Sequence, residues 1–250
     1  MSLSTALKQI KHINQSKKDI VFGYIRESQQ LLPKNNAYYT IVPLIKYLCI
    51  LYYQHYIDST ILSDHDKNVF IDLLDKHNKF NDLGDNYSWN LICKASDYKF
   101  RAKKIKEKVY SYKNLVIIIQ SQRNNIFGGY TATGWPNRGD EYLRDPKAFL
   151  FSIKSNGFDA QIFNIKKRYA EYATYRHTNE DYMFMFGKMG RIDLHVCDKC
   201  NNSKTYKNRF GKGYAYDIKE KDCLNGDIDY FFVREIEIFE LKTTNHKNKK

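Results

Sequence analysis

Residues 115–153 read LVIIIQSQRNNIFGGYTATGWPNRGDEYLRDPKAFLFSI, and this central stretch indicates the fold. Three of its segments, residues 115–120, 125–133 and 148–153, are rich in β-branched and aromatic side chains, which favour β-strands. The segments between them contain Arg-Asn-Asn and Pro-Asn-Arg-Gly-Asp, which are typical of turns. The stretch therefore predicts three successive strands.

Two adjacent glycines, Gly128 and Gly129, lie inside the second predicted strand. Glycine weakens the interior of a strand, so such a pair indicates a bulge, a sharp bend or a close approach of another part of the backbone. The pair is not a phosphate-binding loop, because the pattern G-x-x-x-x-G-K-[ST] is absent and no helix is predicted to follow. We interpret it as a structural feature that allows the sheet to bend.

The order of several motifs resembles that of the TLDc domain family. The pattern F-G-G-Y-T, then Trp135, then D-P-x-A-F-L-F-S from Asp145 is similar to the family signature. Upstream, residues 88–96 resemble the first helices of the family, and downstream the matches continue as far as residues 231–239. The resemblance covers residues 58–241 and implies that the matching positions are structural or face a partner. These positions are Gly128, Gly129, Tyr130, Trp135, Asp145, Phe149, Phe151, Gly187, Gly190, Asp193, Asp198, Gly213, Glu235 and Glu237.

The pattern before residue 115 is helical. Ser63 and Asp66 form an S-x-x-D capping box, which predicts that a helix begins there. Residues 88–94 and 100–109 have apolar side chains at helical spacing and predict two more helices. Residues 1–57 also contain predicted helices and form a helical N-terminal extension that the family resemblance does not cover.

The pattern after residue 115 is that of strands. Further strands are predicted over residues 162–165, 182–186, 192–196, 213–218 and 230–241. Helices followed by strands predict an α+β fold. The TLDc resemblance implies that this fold is a two-sheet antiparallel β-sandwich flanked by helices. The last segment, residues 242–250, has four lysines and no acidic residue, and it predicts a basic, disordered tail.

Chain length and cysteine content indicate the class of protein. With 250 residues, the chain is long enough to bury a core without disulfide bonds. Its five cysteines are few and scattered, which is typical of an intracellular, reduced protein. The first 18 residues lack the apolar segment of a signal peptide, and the longest apolar stretch, residues 41–53, is too short to span a bilayer. We therefore expect a cytoplasmic protein.

The formal net charge of +13 has two explanations. A basic surface favours the binding of polyanions such as nucleic acid or an anionic membrane. However, Asn, Lys, Ile and Tyr are all abundant, as codon bias in an AT-rich genome would produce without a charged partner, and the lysines are spread along the chain. We favour the compositional explanation and keep a polyanion-binding module as an alternative.

The sequence His195-Val-Cys197-Asp-Lys-Cys200 contains residue types that bind zinc or form a redox-active dithiol. A closed zinc site needs four ligands. The chain has neither a second C-x-x-C nor an H-x₃-H pattern, and Cys223 is a single distant candidate. Cys197 also departs from the family pattern, whereas Cys200 occupies a cysteine-bearing position. We interpret the motif as a strand end followed by a turn, with a zinc or redox protein as the alternative.

Glu235 and Glu237 are the acidic pair with the most suggestive spacing. Residues two apart in a strand share a face, where like charges repel unless they are solvated or countered by a cation. We interpret this face as solvated rather than as an acid–base pair. The serine nucleophile patterns G-x-S-x-G and S-x-x-K are absent from the chain.

Two further features bear on contact with a partner. The aromatic signature residues, Trp135 included, are most simply interpreted as core. Trp135 lies in a predicted turn and is also the best candidate among them to face a partner. Between Gly187 and Gly190, related domains have a run of glycines, whereas this chain has Lys188 and Met189. If the family uses this bend to admit the backbone of a partner, these larger side chains would obstruct it.

The TLDc resemblance implies a noncatalytic protein-interaction module. Family proteins are associated with protection against oxidative stress and with binding the vacuolar proton-pumping ATPase (V-ATPase), and no general enzymatic chemistry is established for them. We therefore expect neither enzymatic activity, nor a small-molecule substrate, nor a cofactor or metal. The expected partner is a protein, with V-ATPase subunits as first candidates, rather than nucleic acid, and membrane association would be peripheral and through that partner.

Overall fold

A computed structural model describes residues 57–80, 87–136, 139–188, 190–202, 208–210, 213–220, 223–225 and 230–243. The helices predicted in the N-terminal extension lie outside the described residues, and so does the tail from residue 244 onwards. The fold described below is therefore that of the region that carries the family motifs.

Two α-helices, two 3₁₀ helices and twelve strands form the described part of the chain. The helices are α1 (Asp64–Lys76) and α2 (Ala102–Val109), with 3₁₀ turns at Ser96–Tyr98 and Lys167–Tyr172. The strands are β1 (Tyr87–Lys94), β2 (Leu115–Ser121), β3 (Ile126–Thr131), β4 (Glu141–Leu143), β5 (Phe149–Lys154), β6 (Gln161–Asn164), β7 (Thr174–Arg176), β8 (Tyr182–Lys188), β9 (Arg191–Cys197), β10 (Asn208–Phe210), β11 (Tyr230–Phe231) and β12 (Val233–Thr243). None of the described helices has the length and apolar character needed to cross a bilayer.

The strands form two six-stranded sheets that pack face to face. The first sheet has the order β1-β12-β2-β3-β5-β6 and the second the order β11-β10-β9-β8-β7-β4. Neighbouring strands are antiparallel throughout. The core between the sheets includes Phe127 and Leu150 from the first sheet and Phe186 and Val196 from the second. The predicted two-sheet antiparallel sandwich is therefore confirmed.

Helix α1 forms a third layer on the outer face of the first sheet. It begins where the capping box predicts: the N–H of Asp66 donates to Oγ of Ser63 over 3.2 Å, and the N–H of Ser63 donates to the Asp66 carboxylate over 3.1 Å. Its buried residues include Phe70 and Leu74, and the Phe70 ring lies 4.6 Å from that of Phe151 in β5. The first sheet is therefore covered on both faces.

Burial on both faces explains the continuous apolar sequence of β2. Leu115, Ile117 and Ile119 belong to the core between the sheets, whereas Val116 and Ile118 pack under α1. A strand with one face in water would instead alternate apolar and polar side chains.

Gly128 and Gly129 permit close contacts, and there is no bulge at the pair. They stand opposite Ile118 and Ile117 in regular register with β2. A Cβ on Gly128 would lie 1.9 Å from the carbonyl oxygen of Ile117, and one on Gly129 would lie 2.7 Å from the Phe186 ring of the second sheet. Glycine is required at both positions because neighbouring atoms approach too closely for a side chain. The close approach, which the sequence left open as an alternative, therefore replaces our interpretation of a bend.

The helix predicted over residues 88–94 is wrong, because this segment is strand β1. Trp89 pairs with Leu241 and Leu91 pairs with Phe239 of β12. In so short a run, the apolar spacing fits a strand as well as a helix. The partner strand near the other end of the chain decides the conformation.

Two later predictions also need correction. Residues 213–218, predicted as a strand, form an irregular segment with an isolated bridge between Ile165 and Tyr216. Residues 230–241, predicted as one strand, form β11 and β12, which belong to different sheets. Strands β4, β7 and β10 have three residues each, too few to show a strand period, and the sequence did not predict them.

Candidate functional site

The aromatic signature residues of the sheet lie in the core. The rings of Tyr130 and Phe149 stack 5.1 Å apart on the α1 side of the first sheet, where Phe151 contacts Phe70. Tyr130, Phe149 and Phe151 are each at most 2% exposed. The interpretation of these three side chains as core is therefore confirmed.

Trp135 is also buried, which confirms the interpretation as core and contradicts the alternative that it faces a partner. It is 3% exposed, and its ring lies 5.0 Å from Phe184 and 5.5 Å from Phe186, both in β8. The preceding Gly134 has φ +68°, and a Cβ there would lie 2.2 Å from the carbonyl oxygen of Tyr112. The turn is thus held against the rest of the domain, and Trp135 adds to the core between the sheets.

Three signature positions meet at Asp193 in β9. Its side chain is fully buried, and Oδ2 accepts a hydrogen bond from the N–H of Ala215 over 3.0 Å. Gly187 packs against the carboxylate, since a Cβ there would lie 2.4 Å from Oδ2. Lys166 Nζ donates to the carbonyl oxygen of Gly213 over 2.6 Å. The carboxylate and the ammonium group together hold the loop that follows Gly213.

Burial raises the pKa of Asp193 from its ordinary 3.8 to about 6, although N–H groups of the loop and Lys166 favour the ionised form. The folded protein therefore holds this proton more tightly than the unfolded chain. The contribution of the group to stability is greatest below about pH 4 and is lost as the pH rises through about 6.

The raised pKa of Asp193 leads to a testable pH dependence of the stability. Relative to the Asp193→Asn variant, the free energy of unfolding of the natural protein should fall by about 2 kcal/mol between pH 4 and pH 6. Asparagine is a suitable reference because it keeps an oxygen to accept the N–H of Ala215 and does not titrate. Urea unfolding of both proteins across this range measures the difference, and a difference that is constant with pH would contradict the raised pKa.

Asp145 and Asp198 each hold another segment of the chain in place through hydrogen bonds. Asp145 Oδ2 accepts hydrogen bonds from Oγ1 of Thr131 over 2.9 Å and from the N–H of Ala132 over 2.6 Å, which holds the turn after β3. Asp198 Oδ1 accepts from the N–H of Ala102 over 2.7 Å, which caps the first turn of α2 from a distant part of the chain. Both carboxylates are buried and have structural partners.

Glu237 is buried, which contradicts the prediction of a solvated acidic face. It is 0% exposed and accepts hydrogen bonds from Oγ of Ser59 over 2.5 Å and from the N–H and Oγ1 of Thr60 over 2.9 and 2.7 Å. Lys94 Nζ lies 3.5 Å from its Oε1. Glu235 on the same strand is partly exposed. The two glutamates differ because the segment before α1 folds over Glu237.

His195, Cys197 and Cys200 lie at the end of β9 and in the turn that follows, as predicted. Cys197 Sγ is 3.8 Å from Nε2 of His195, whose ring stacks on Tyr182 at 4.9 Å. Cys200 is 0% exposed in the core between the sheets. Within the described ranges, no three His, Cys, Asp or Glu side chains are grouped so that they could hold a metal ion.

A basic pocket, which the sequence did not predict, lies where two distant segments meet. One segment leads into α2, and the other is the turn after β9. They border an open surface depression of about 530 Å³, lined by Lys99, Arg101, Lys104, Lys199, Asn201 and Asn202. The first segment is basic in the sequence, since residues 99–104 read KFRAKK, but no local signal indicates that it meets the turn after β9.

The family of the chain is decided by a comparison with protein-family models. The model of the TLDc domain matches residues 56–242, which is well over half of the chain. The chain belongs to the TLDc domain family. The resemblance in the order of the motifs is thereby confirmed. A comparison with curated proteins finds no match.

The glycines at the β8–β9 hairpin have different roles in this TLDc domain. Gly187 has φ +95° and leaves room for Asp193, whereas Gly190 has φ +81° and open space where a Cβ would be. Lys188 places its Nζ 4.7 Å from the centre of the Tyr172 ring. Met189 lies outside the described residues, so the predicted obstruction of a partner at this bend stays a prediction.

The cysteines described in the TLDc domain should be unreactive while it is folded. Burial raises the pKa of Cys93 to about 12 and also raises the pKa of Cys200. Because the thiolate is the reactive form, a Cys49→Ser variant should show no fast thiol towards an aromatic disulfide reagent. On unfolding in urea, it should show the four buried thiols Cys93, Cys197, Cys200 and Cys223. A fast thiol in the folded protein that disappears in Cys197→Ala would contradict this expectation and support the redox alternative.

Proposed function

We propose that this protein is a noncatalytic interaction module that binds the V-ATPase and contributes to protection against oxidative stress. The observation that carries the proposal is the match of the TLDc domain over residues 56–242, because both properties are associated with this family. The module acts in the cytoplasm and reaches the membrane through its partner.

The positions of the acidic signature residues support a noncatalytic role. A general acid or base must reach a proton of the substrate through a hydrogen bond or one water molecule. Glu237, Asp145 and Asp198 are instead buried and hydrogen-bonded to neighbouring segments of the fold. Asp193 is buried as well and organises the loop after Gly213. These four carboxylates therefore stabilise the domain.

Affinity purification of the full-length protein from its source cell tests the proposed partner. The tagged protein should recover V-ATPase subunits, with and without added ATP. A matched control is the Gly128→Ala variant at the same amount, because its sheet should not form (see Discussion). If the folded protein recovers no more V-ATPase than this control, the proposed partner is wrong.

A second bait examines the N-terminal extension. It should lack residues 1–55 but keep Ile57 and Ser59, because Ile57 is fully buried in the domain and Ser59 donates to Glu237. Equal recovery of V-ATPase subunits would assign the partner surface to the TLDc domain, and loss of recovery would assign it to the extension.

Survival after peroxide treatment tests the proposed protective role. Cells that lack the protein should survive less well, and the full-length protein should restore survival. The double variant Cys197→Ala/Cys200→Ala should restore survival equally, because the proposal does not require thiol chemistry. Failure of this variant, with unchanged folding and amount of protein, would support the redox alternative instead.

A further inference from the structure

The basic pocket collects positive charge from both of its segments. Of its six lining residues, four are cationic, two are asparagines, and none is acidic. One counter-charge is Asp198, whose Oδ1 lies 3.7 Å from Nε of Arg101. This carboxylate is buried and already accepts the N–H of Ala102 at the start of α2. Glu180 also interacts electrostatically with Arg101, and its carboxylate pairs with Lys103 over 2.8 Å. The lining itself carries four positive charges and no negative one.

Backbone hydrogen bonds fix the positions from which these side chains extend. The N–H of Lys199 donates to the carbonyl oxygen of Phe100 over 2.8 Å, which joins the two segments directly. The N–H of Lys99 donates to Ser96, and that of Asn202 donates to Lys199, each over 2.9 Å. Because the loops are held in place, a ligand that binds here need not order them, and the cost in conformational entropy is confined to the side chains.

Four cationic residues around one surface depression favour a compact anion. Like charges repel, so the arrangement is unfavourable until an anion of opposite charge enters. An extended acidic peptide spaces its side chains by about 3.3 Å per residue and alternates their direction, so it presents few carboxylates to one cavity. Single-stranded nucleic acid binds along basic grooves that offer aromatic rings for base stacking, whereas the pocket lining contains no aromatic residue.

We propose that the basic pocket binds a compact ligand that carries two or more phosphate groups. The lysine and arginine side chains neutralise the phosphates, and the amide groups of Asn201 and Asn202 donate hydrogen bonds to phosphate or hydroxyl oxygens. A free polyphosphorylated sugar alcohol and the phosphorylated head group of a lipid share this chemistry. The test of this site uses purified protein and does not depend on the V-ATPase.

Calorimetric titration of the full-length protein with inositol hexakisphosphate tests the proposal. The pocket variant is Lys104→Gln/Lys199→Asn, which removes one cation from each segment. Asparagine suits position 199 because φ there is +48°, which asparagine tolerates better than most residues. We expect saturable binding to the natural protein and a loss of affinity of at least about tenfold in the pocket variant.

A matched control also removes two positive charges, both from α2 at positions outside the pocket. Lys103→Gln/Lys108→Gln changes two exposed lysines of α2 that do not line the cavity. Its affinity for inositol hexakisphosphate should change by less than about threefold, because exposed charges at a distance are screened by salt. Equal losses of affinity in the two double variants, or no saturable binding to the natural protein, would overturn the proposal.

Two further probes identify the source of the phosphates and the class of ligand. Vesicles with phosphatidylinositol 4,5-bisphosphate are compared with phosphatidylserine vesicles of equal surface charge. Preference for the former that is lost in the pocket variant assigns a lipid head group, whereas binding of the soluble probe alone assigns a free ligand. A single-stranded oligonucleotide or an acidic peptide that binds more tightly than inositol hexakisphosphate through the same lysines would overturn the proposal.

Discussion

Replacing Glu237 by alanine should lower the free energy of unfolding by about 3–5 kcal/mol, the usual cost of removing one partner from a buried charge network. The carboxylate accepts three hydrogen bonds, from the hydroxyl of Ser59 and from the N–H and hydroxyl of Thr60, and it pairs with Lys94. Without it, these donors must stay unpaired or the segment before α1 must detach from the sheet. Urea unfolding measures the loss of stability.

The location of the effect distinguishes detachment of the segment from general destabilisation. Amide hydrogen exchange at Thr60, Ile61 and Leu62 should become faster than exchange in the central strands, because the N–H groups of Ile61 and Leu62 bond to the Ser59 hydroxyl that Glu237 holds. The matched control is Glu235→Ala on the same strand.

The carboxylate of Glu235 accepts from the N–H and hydroxyl of Ser96 at an exposed position. Glu235→Ala should therefore lower the free energy of unfolding by only about 1 kcal/mol. Equal losses of stability for Glu235→Ala and Glu237→Ala would show that burial of Glu237 does not matter.

Gly128→Ala should prevent the domain from folding at ordinary temperature. The new Cβ would lie 1.9 Å from the carbonyl oxygen of Ile117 and 2.8 Å from the Phe151 ring. The Phe151 ring can move, but the carbonyl belongs to the neighbouring strand, so β2 and β3 must separate. Overpacking of a core commonly costs about 1–3 kcal/mol, and a clash with the backbone of the central sheet should exceed that range. Since domains are stable by only about 5–15 kcal/mol, most of the stability would be lost.

Gly157→Ala is the matched control for this substitution. Gly157 has φ +82° and no atom within 4 Å of an added Cβ, so alanine there meets backbone strain but no clash. Gly157→Ala should lower the free energy of unfolding by about 1–2 kcal/mol. Thermal unfolding followed by circular dichroism compares the two variants. If Gly128→Ala melts within a few degrees of Gly157→Ala, the close approach of Ile117 is not a constraint on the sheet.

Features with a local chemical cause could be predicted from the sequence. The Ser63–Asp66 capping box places the start of α1, because both hydrogen bonds form between residues three apart. Strands β2, β3 and β5 follow from β-branched and aromatic runs separated by turn residues. The glycine pair indicated a local exception, but the sequence did not decide between a bulge, a bend and a close approach. Motif order identified the family, which the TLDc match over residues 56–242 confirms.

Features that depend on distant partners were missed or misread. Strand β1 was predicted as a helix because its partner β12 lies near the other end of the described chain. Trp135 has the turn residues around it that suggest exposure, yet Phe184 and Phe186 cover it. Burial of a side chain depends on what packs over it, and turn residues carry no information about that.

By itself, the sequence determined the central strands, the start of α1 and membership of the TLDc family. These follow from backbone preferences and from motifs that can be read within a short segment. Only the tertiary structure decided that Glu237 is a buried anchor, that Asp193 holds a loop, and that six residues form the basic pocket. The physical reason is that the charge, burial and hydrogen bonding of a side chain depend on neighbours brought together by sheet pairing, and those neighbours lie far away along the chain.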